Sequence, residues 1–285
     1  MKRRIRIIVP LLIFGSFVTA FLYRSLAPRA ILADLFSQRS ALVEAAFRLE
    51  QKGNFIAALR MAQVAILVSP ETKDQRLETL VARLEPIERD MKGSIGNQSA
   101  EALVASEVQA LGDPLVTQLV VVLSEAPRQQ GPSCVGLRVL AMVSRDGAER
   151  VVRSTIVRGQ NDIFTREAVV EALRLRISGL EGELVRLVEN WRQWGRQYPI
   201  YVLRRFGARQ AVDAIITALD DTSPAVQRHS AMALADLAGG EALEPLSRLA
   251  ARSKDEVTIS IVEAAQATIR RRLPHLEKNS GLGSQ

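Results

Sequence analysis

Proton transfer, nucleophilic attack and metal ligation draw on a short list of side chains, and this chain of 285 residues is poor in them. It holds two histidines, His229 and His275, and one cysteine, Cys134. Catalysis needs such groups to converge in a pocket. No glycine-rich phosphate loop, nucleophile elbow, His-Glu-x-x-His run or paired-cysteine metal site occurs in the sequence. His229 reads as a partly exposed helix residue, and His275, just after Pro274, as a residue near a frayed helix end. A lone cysteine closes no intramolecular disulfide, and Cys134 reads as a small buried apolar residue rather than a reactive thiol. Asp220 and Asp221 invite a metal, but acids just ahead of a helix are favoured by its dipole without one. The expectation is a chain with no catalytic residue, cofactor or metal, and no small-molecule substrate.

The chemistry that is concentrated is that of recognition. Between Glu189 and Asp213 there is no acid, while Arg192, Arg196, Arg204, Arg205 and Arg209 fall within. The same window holds both tryptophans, Trp191 and Trp194, and two of the three tyrosines, Tyr198 and Tyr201. Trp, Tyr and Arg dominate interface hot spots because they bury much area and keep a polar handle. Trp191, Trp194, Tyr198, Tyr201, Arg204 and Arg205 are therefore the candidate protein-binding residues. The plainer alternative is that the aromatics fill an imperfect helical hairpin and the arginines form its solvated rim.

The elements that position these residues follow a repeat of about 31. Leu184, Ile215 and Leu246 stand one period apart, as do Leu180, Ala211 and Ala242, then Val188, Leu219 and Ala250, and Leu203, Leu234 and Ala265. A fixed period in this range marks a solenoid whose units bury their apolar faces only against their neighbours. In that register Trp191 and Trp194 align with Thr222 and Ala225, a turn region, which predicts exposure. Few aromatics and abundant Ala and Leu favour helices over a sheet. The clearest pair runs from Ala211 to Leu219 and from Ala225 to Ala238, with Ser223 as a side-chain cap, Pro224 opening the second helix and Gly239-Gly240 ending it.

Residues 211–216, the Asp220-Asp221-Thr222-Ser223-Pro224 turn and residues 225–237 together resemble a HEAT repeat of the short bacterial kind. The next unit, 242–273, keeps Leu246, Leu249, Val257, Ala264 and Ile269 but loses the turn proline; weaker units fall near 113–144, 146–177 and 180–207. Nearer the N-terminus, Leu42, Ala45, Ala46 and Leu49, then Gly53, Phe55, Ala58, Ala65 and Pro70, resemble one tetratricopeptide repeat, with Ala46 where that family usually has glycine. A further helix over 71–92, striped by Leu77, Leu80, Val81, Leu84 and Ile87, is expected to cap it. The HEAT resemblance implies a curved α-solenoid that binds proteins. Related HEAT proteins attach bilin pigments to light-harvesting subunits, which keeps open a maturation-factor or lyase alternative; those proteins as a family lack an anchor.

The net charge of +7 is concentrated at one end. Residues 1–29 carry six of the 38 basic residues and no acid, leaving 32 basic against 31 acidic over the rest. A nucleic-acid binder would carry its excess on the folded surface, so nucleic acid is not an expected partner. From Ile7 to Tyr23 runs an uncharged stretch of 17 residues flanked by Arg6 and Arg24. At ~1.5 Å per residue it spans roughly 25 Å, enough for a bilayer core with the arginines reaching the interfaces. A cleaved signal peptide is the competing reading, but Val18-Thr19-Ala20 is a weak cleavage site and Pro28 disfavours a later one.

The expected architecture is all-α, a HEAT-like helical-hairpin solenoid preceded by a tetratricopeptide-like hairpin and one transmembrane helix. Its parts are an anchor over 1–29, the hairpin and capping helix over 30–92, a linker over 93–99, the solenoid over 100–277 and a disordered tail over 278–285. Four basic residues ahead of the span place the N-terminus inside and the body in the exported compartment, the periplasm in a bacterium. The expected role is a membrane-anchored adaptor that binds a protein partner, with a structural subunit of a membrane machine as a further alternative.

Overall fold

A computed structural model describes residues 37–68, 74–90, 96–125, 130–160, 162–191 and 195–279. Every regular element among them is helical, and the chain divides into two compact units, one ending at Gln118 and the other beginning at Leu119. The expected anchor, 7–23, lies outside the described residues. No helix among the described residues is long and apolar enough to cross a membrane.

The first unit is built around α2 (Phe55–Val68). The preceding helix, α1 (37–51), buries Leu42, Ala45, Ala46 and Leu49, the stripe expected from its spacing. It stops where Gly53 takes a left-handed conformation (φ +76°), letting the Gly53 and Asn54 amides donate to the carbonyls of Glu50 and Leu49. Ala58, Met61, Ala62 and Ala65 of α2 are all buried. Both α3 (Gln75–Asp90) and α4 (Gly96–Leu111) pack on α2, so it is enclosed by more than one neighbour. Ion pairs bind the same helices: Arg76 to Glu44 at 3.2 Å, Arg48 to Glu107 at 3.0 Å, and Arg60 to Glu88.

Helix and unit bounds fall differently from two of the expected boundaries. Residues 96–99 belong to α4 rather than to a linker, and 93–95 lie outside the described residues. The helix α4 belongs with the first unit, not with the solenoid, because Val104 and Val108 need an apolar partner and α2 supplies the surface.

The second unit alternates two rows of helices. One row is α6 (Gln130–Val143), α8 (Ile163–Arg174), α10 (Gln197–Phe206), α12 (Pro224–Leu237) and α14 (Glu256–Asn279), each packed on the next. The other is α7 (Arg145–Arg158), α9 (Glu181–Asn190), α11 (Val212–Ala218) and α13 (Leu243–Arg252). Each member of the second row pairs with the helix that follows it. Short 3₁₀ turns at Arg209–Ala211 and Gly240–Ala242 introduce α11 and α13 one period apart. Leu184, Ile215 and Leu246 are fully buried, as are Ala211 and Ala242, Leu203 and Leu234, so the sequence period is the period of the core. Of the tail expected over 278–285, residues 278 and 279 belong to α14, and 280–285 lie outside the described residues.

The turn before α12 differs from expectation in its chemistry. Ser223 occupies the N-cap position and Pro224 the first turn, yet the Ser223 side chain caps nothing. Asp221 organises the turn instead: its Oδ1 accepts from the Ser223 amide at 2.8 Å and its carbonyl from Gln227 Nε2 at 2.7 Å. The carboxylate serves this amide with one oxygen and pairs with Arg196 at 3.0 Å through the other, a charge-assisted contact that a neutral hydroxyl does not supply.

Candidate functional site

Five of the six candidate residues lie among the described ones, and they separate into three groups. Trp191 is 2% exposed, against the exposure its register predicted. It ends α9, and its indole Nε1 donates to the Gly159 carbonyl at the end of α7 at 3.0 Å. That bond is one rung of a ladder. Arg158 donates to the Ser124 carbonyl at 2.6 Å, and Arg252 to the Leu219 carbonyl at 2.7 Å. Each ties the end of one helix to the end of an earlier one in the stack, satisfying a carbonyl that the helix itself leaves unpaired. Trp191 stands where other repeats use arginine, and turn alignment to Thr222 could not reveal it. Trp194 lies outside the described residues, as does Arg192.

Tyr198 is half-buried in the first turn of α10, and Arg204 bonds Asp236 of α12 through its Nε. Arg196 reaches both the Glu189 carbonyl and Asp221 at 3.0 Å. These arginines are committed to holding successive repeats together.

The remaining two, Tyr201 and Arg205, lie one helical turn apart on the outer face of α10. Tyr201 is 40% exposed and Arg205 is exposed. Both line a solvent-open groove of about 600 Å³, whose opposite wall is the turn between α8 and α9. That wall contributes Leu173, Arg176, Ser178 and Glu181, and Phe206 closes the α10 side. Neither Arg176 nor Arg205 makes an ion pair among the described residues.

Arg176 was not legible as a site residue, and its backbone makes it notable. Its φ is +52°, the one positive-φ position among the described residues that is not glycine. The α8 helix ends with the Arg176 amide donating to Leu173 O and the Ile177 amide to Ala172 O. The α10 helix ends in the same pattern, Gly207 to Arg204 O and Ala208 to Leu203 O, with Gly207 at φ +69°. Arg176 and Gly207 stand one 31-residue period apart. An arginine where the next unit has Gly207 was the available sequence signal.

The chemistry-bearing groups are placed for structure. Cys134 is buried, and desolvation, with Glu167 adding to it, pushes its thiol up to about 12, far from a reactive thiolate. His229 is half-buried in α12 with Nδ1 2.8 Å from the Ala225 carbonyl, and His275 falls within α14. Among the described residues, no three His, Cys, Asp or Glu side chains gather to hold a metal ion.

Comparison with known proteins fits this geometry. Residues 180–266 match the family model described as HEAT repeats, a span that begins at the Leu180 turn and includes α9 to α13. No curated protein matches the chain. A solved chain titled "Computational Design of Self-Assembling Cyclic Protein Homooligomers" is 16% identical, covers 90% of this chain and 99% of its own, and has a TM-score of 0.19. So low a score carries no argument. Glu181 and the α10 wall of the groove thus fall within the stretch that matches HEAT repeats, and every regular element among the described residues is helical.

Proposed function

We propose that this protein is a membrane-anchored adaptor that assembles a protein complex through its helical repeats. The observation that carries the reading is the groove beside α10, where Tyr201 and Arg205 stand exposed in a HEAT-matching stretch in which Arg196, Arg204, Arg228 and Arg252 are paired with aspartates. HEAT hairpins generally serve contact between proteins, and their extended surfaces suit scaffolding rather than turnover. The anchor rests on the uncharged run of residues 7–23 between Arg6 and Arg24, with the body exported and the N-terminus inside. In a bacterium this places the chain on the inner membrane, facing the periplasm. The tetratricopeptide likeness of the first hairpin adds a second surface of the same general use.

Purification of tagged full-length protein from gently solubilised native membranes, beside a Tyr201→Ala, Arg205→Ala variant, tests the reading. Both residues are exposed, so the variant keeps its fold. A partner that is lost only in the variant supports the adaptor and locates its contact. A protein that leaves the membrane fraction without detergent and brings nothing down with it removes both the anchor and the scaffold.

A further inference from the structure

We infer that the groove between the α8–α9 turn and α10 receives an extended acidic segment of a partner protein, its carboxylates met by Arg176 and Arg205 and a neighbouring apolar side chain by Tyr201. The inference deepens the adaptor reading and rests on it. Charge is the first argument. In this stretch Arg196, Arg204, Arg228 and Arg252 each pair with an aspartate, while Arg176 and Arg205 face one groove from opposite walls without an ion pair among the described residues. A guanidinium offers a planar fork of donors that matches a carboxylate, so two such groups across a groove favour an acidic occupant.

The second argument is independent of charge. Arg176 occupies a left-handed position that an L-residue resists and that glycine fills one period later at Gly207. The turn alone would be served better by glycine. Keeping an arginine there holds a cation on the groove wall at a cost to the fold, the pattern of strain retained at a working site.

Shape and polarity narrow the occupant further. The groove is solvent-open and about 600 Å³, with half-buried Phe206 beside exposed Tyr201, which suits a few residues of extended chain. Glu181 lines the same groove from the first turn of α9, and it disfavours a polyphosphate run while leaving room for alternating acidic and apolar side chains. Nucleic acid is further disfavoured by the balance of 32 basic and 31 acidic residues beyond residue 29.

A random-peptide phage library panned on the detergent-solubilised full-length protein supplies the probe, and a synthetic copy of the enriched sequence is then titrated by fluorescence anisotropy. The expected result is enrichment of Asp or Glu next to an aromatic or aliphatic residue. Affinity should weaken roughly tenfold or more in Arg176→Gly and in Arg205→Gln, and fall between about 50 and about 300 mM salt. Arg176→Gly should melt no lower than the wild type, because it relieves the turn, so lost binding there is not lost folding. Enriched peptides without acids overturn the proposal, as does an affinity that neither variant changes. Tighter, variant-sensitive binding of a single-stranded oligonucleotide overturns it in favour of nucleic acid. Should the peptide fail while a co-purifying partner is still lost with Tyr201→Ala, Arg205→Ala, the groove's occupant is wrong and the adaptor stands; failure of both removes both.

Discussion

At the scale of single residues, Glu171 of α8 shows how burial sets a titration. It is 2% exposed, and desolvation pushes its carboxyl from 4.5 to about 6 even though Arg174 lies 2.9 Å away. Glu167 adds to the rise, and Arg138 on α6, paired with Glu167 at 2.8 Å, opposes it. A carboxyl whose folded value is raised favours the folded state in its protonated form. Its contribution is complete below 4.5 and is lost as the pH rises through about 6. The loss at neutral pH is at most about 2 kcal/mol. Glu171→Gln keeps the neutral shape, so its stability relative to the wild type should grow by up to that amount between pH 4 and pH 7. Urea midpoints measured across that window check this, and a difference independent of pH would show that Glu171 does not titrate there.

Across elements, the second unit is held by more than the apolar stripe. Donors at the end of one helix reach carbonyls at the end of an earlier one, from Arg158 to Ser124, from Trp191 to Gly159 and from Arg252 to Leu219. Gly159 is fixed in this ladder twice over, by its φ of +68° and by the Leu187 side chain 3.2 Å from where a Cβ would sit. Trp191→Phe preserves most of the buried area and removes only the indole donor. The expected effect is a loss of about 1–2 kcal/mol, the cost of leaving a partly buried carbonyl without its partner. Chemical denaturation measures it. An unchanged midpoint would mean that water replaces the indole and that the ladder contributes nothing there. The groove proposed as a contact is untouched by this substitution, so partner binding should survive it.

For the molecule as a whole, the composition change at 93–99 suggested a boundary that the packing does not respect. The division falls between Gln118 and Leu119, inside α5 (Asp113–Ser124). A fragment beginning at Asp113 keeps all of α5 and every hairpin after it. One beginning at residue 100 carries most of α4 without α2, and so exposes Val104 and Val108, both fully buried in the intact chain. The shorter fragment should therefore unfold cooperatively in urea, and the longer one should bind a hydrophobic dye and aggregate. The opposite ranking would restore the boundary at the linker.

The helical class, the 31-residue period and much of the repeating core were legible from spacing, because burial of an apolar stripe is periodic and local in the chain; in the last unit Leu246, Leu249 and Ile269 are buried as expected, while Val257 and Ala264 are exposed. Leu184, Ile215 and Leu246 could be named from spacing alone, as could the α1 and α2 stripes. It also marked the neighbourhood of the groove, through Tyr201 and Arg205 in an acid-free window. The tertiary structure decided which aromatics face solvent. Trp191 sits at a turn position that spacing calls exposed, and only a carbonyl 32 residues earlier in the chain draws it inward. Likewise Arg176 joins Arg205 across two hairpins, a pairing that no local pattern encodes. Spacing reports what a residue does within its own helix; which side chains meet between helices depends on how the repeats stack.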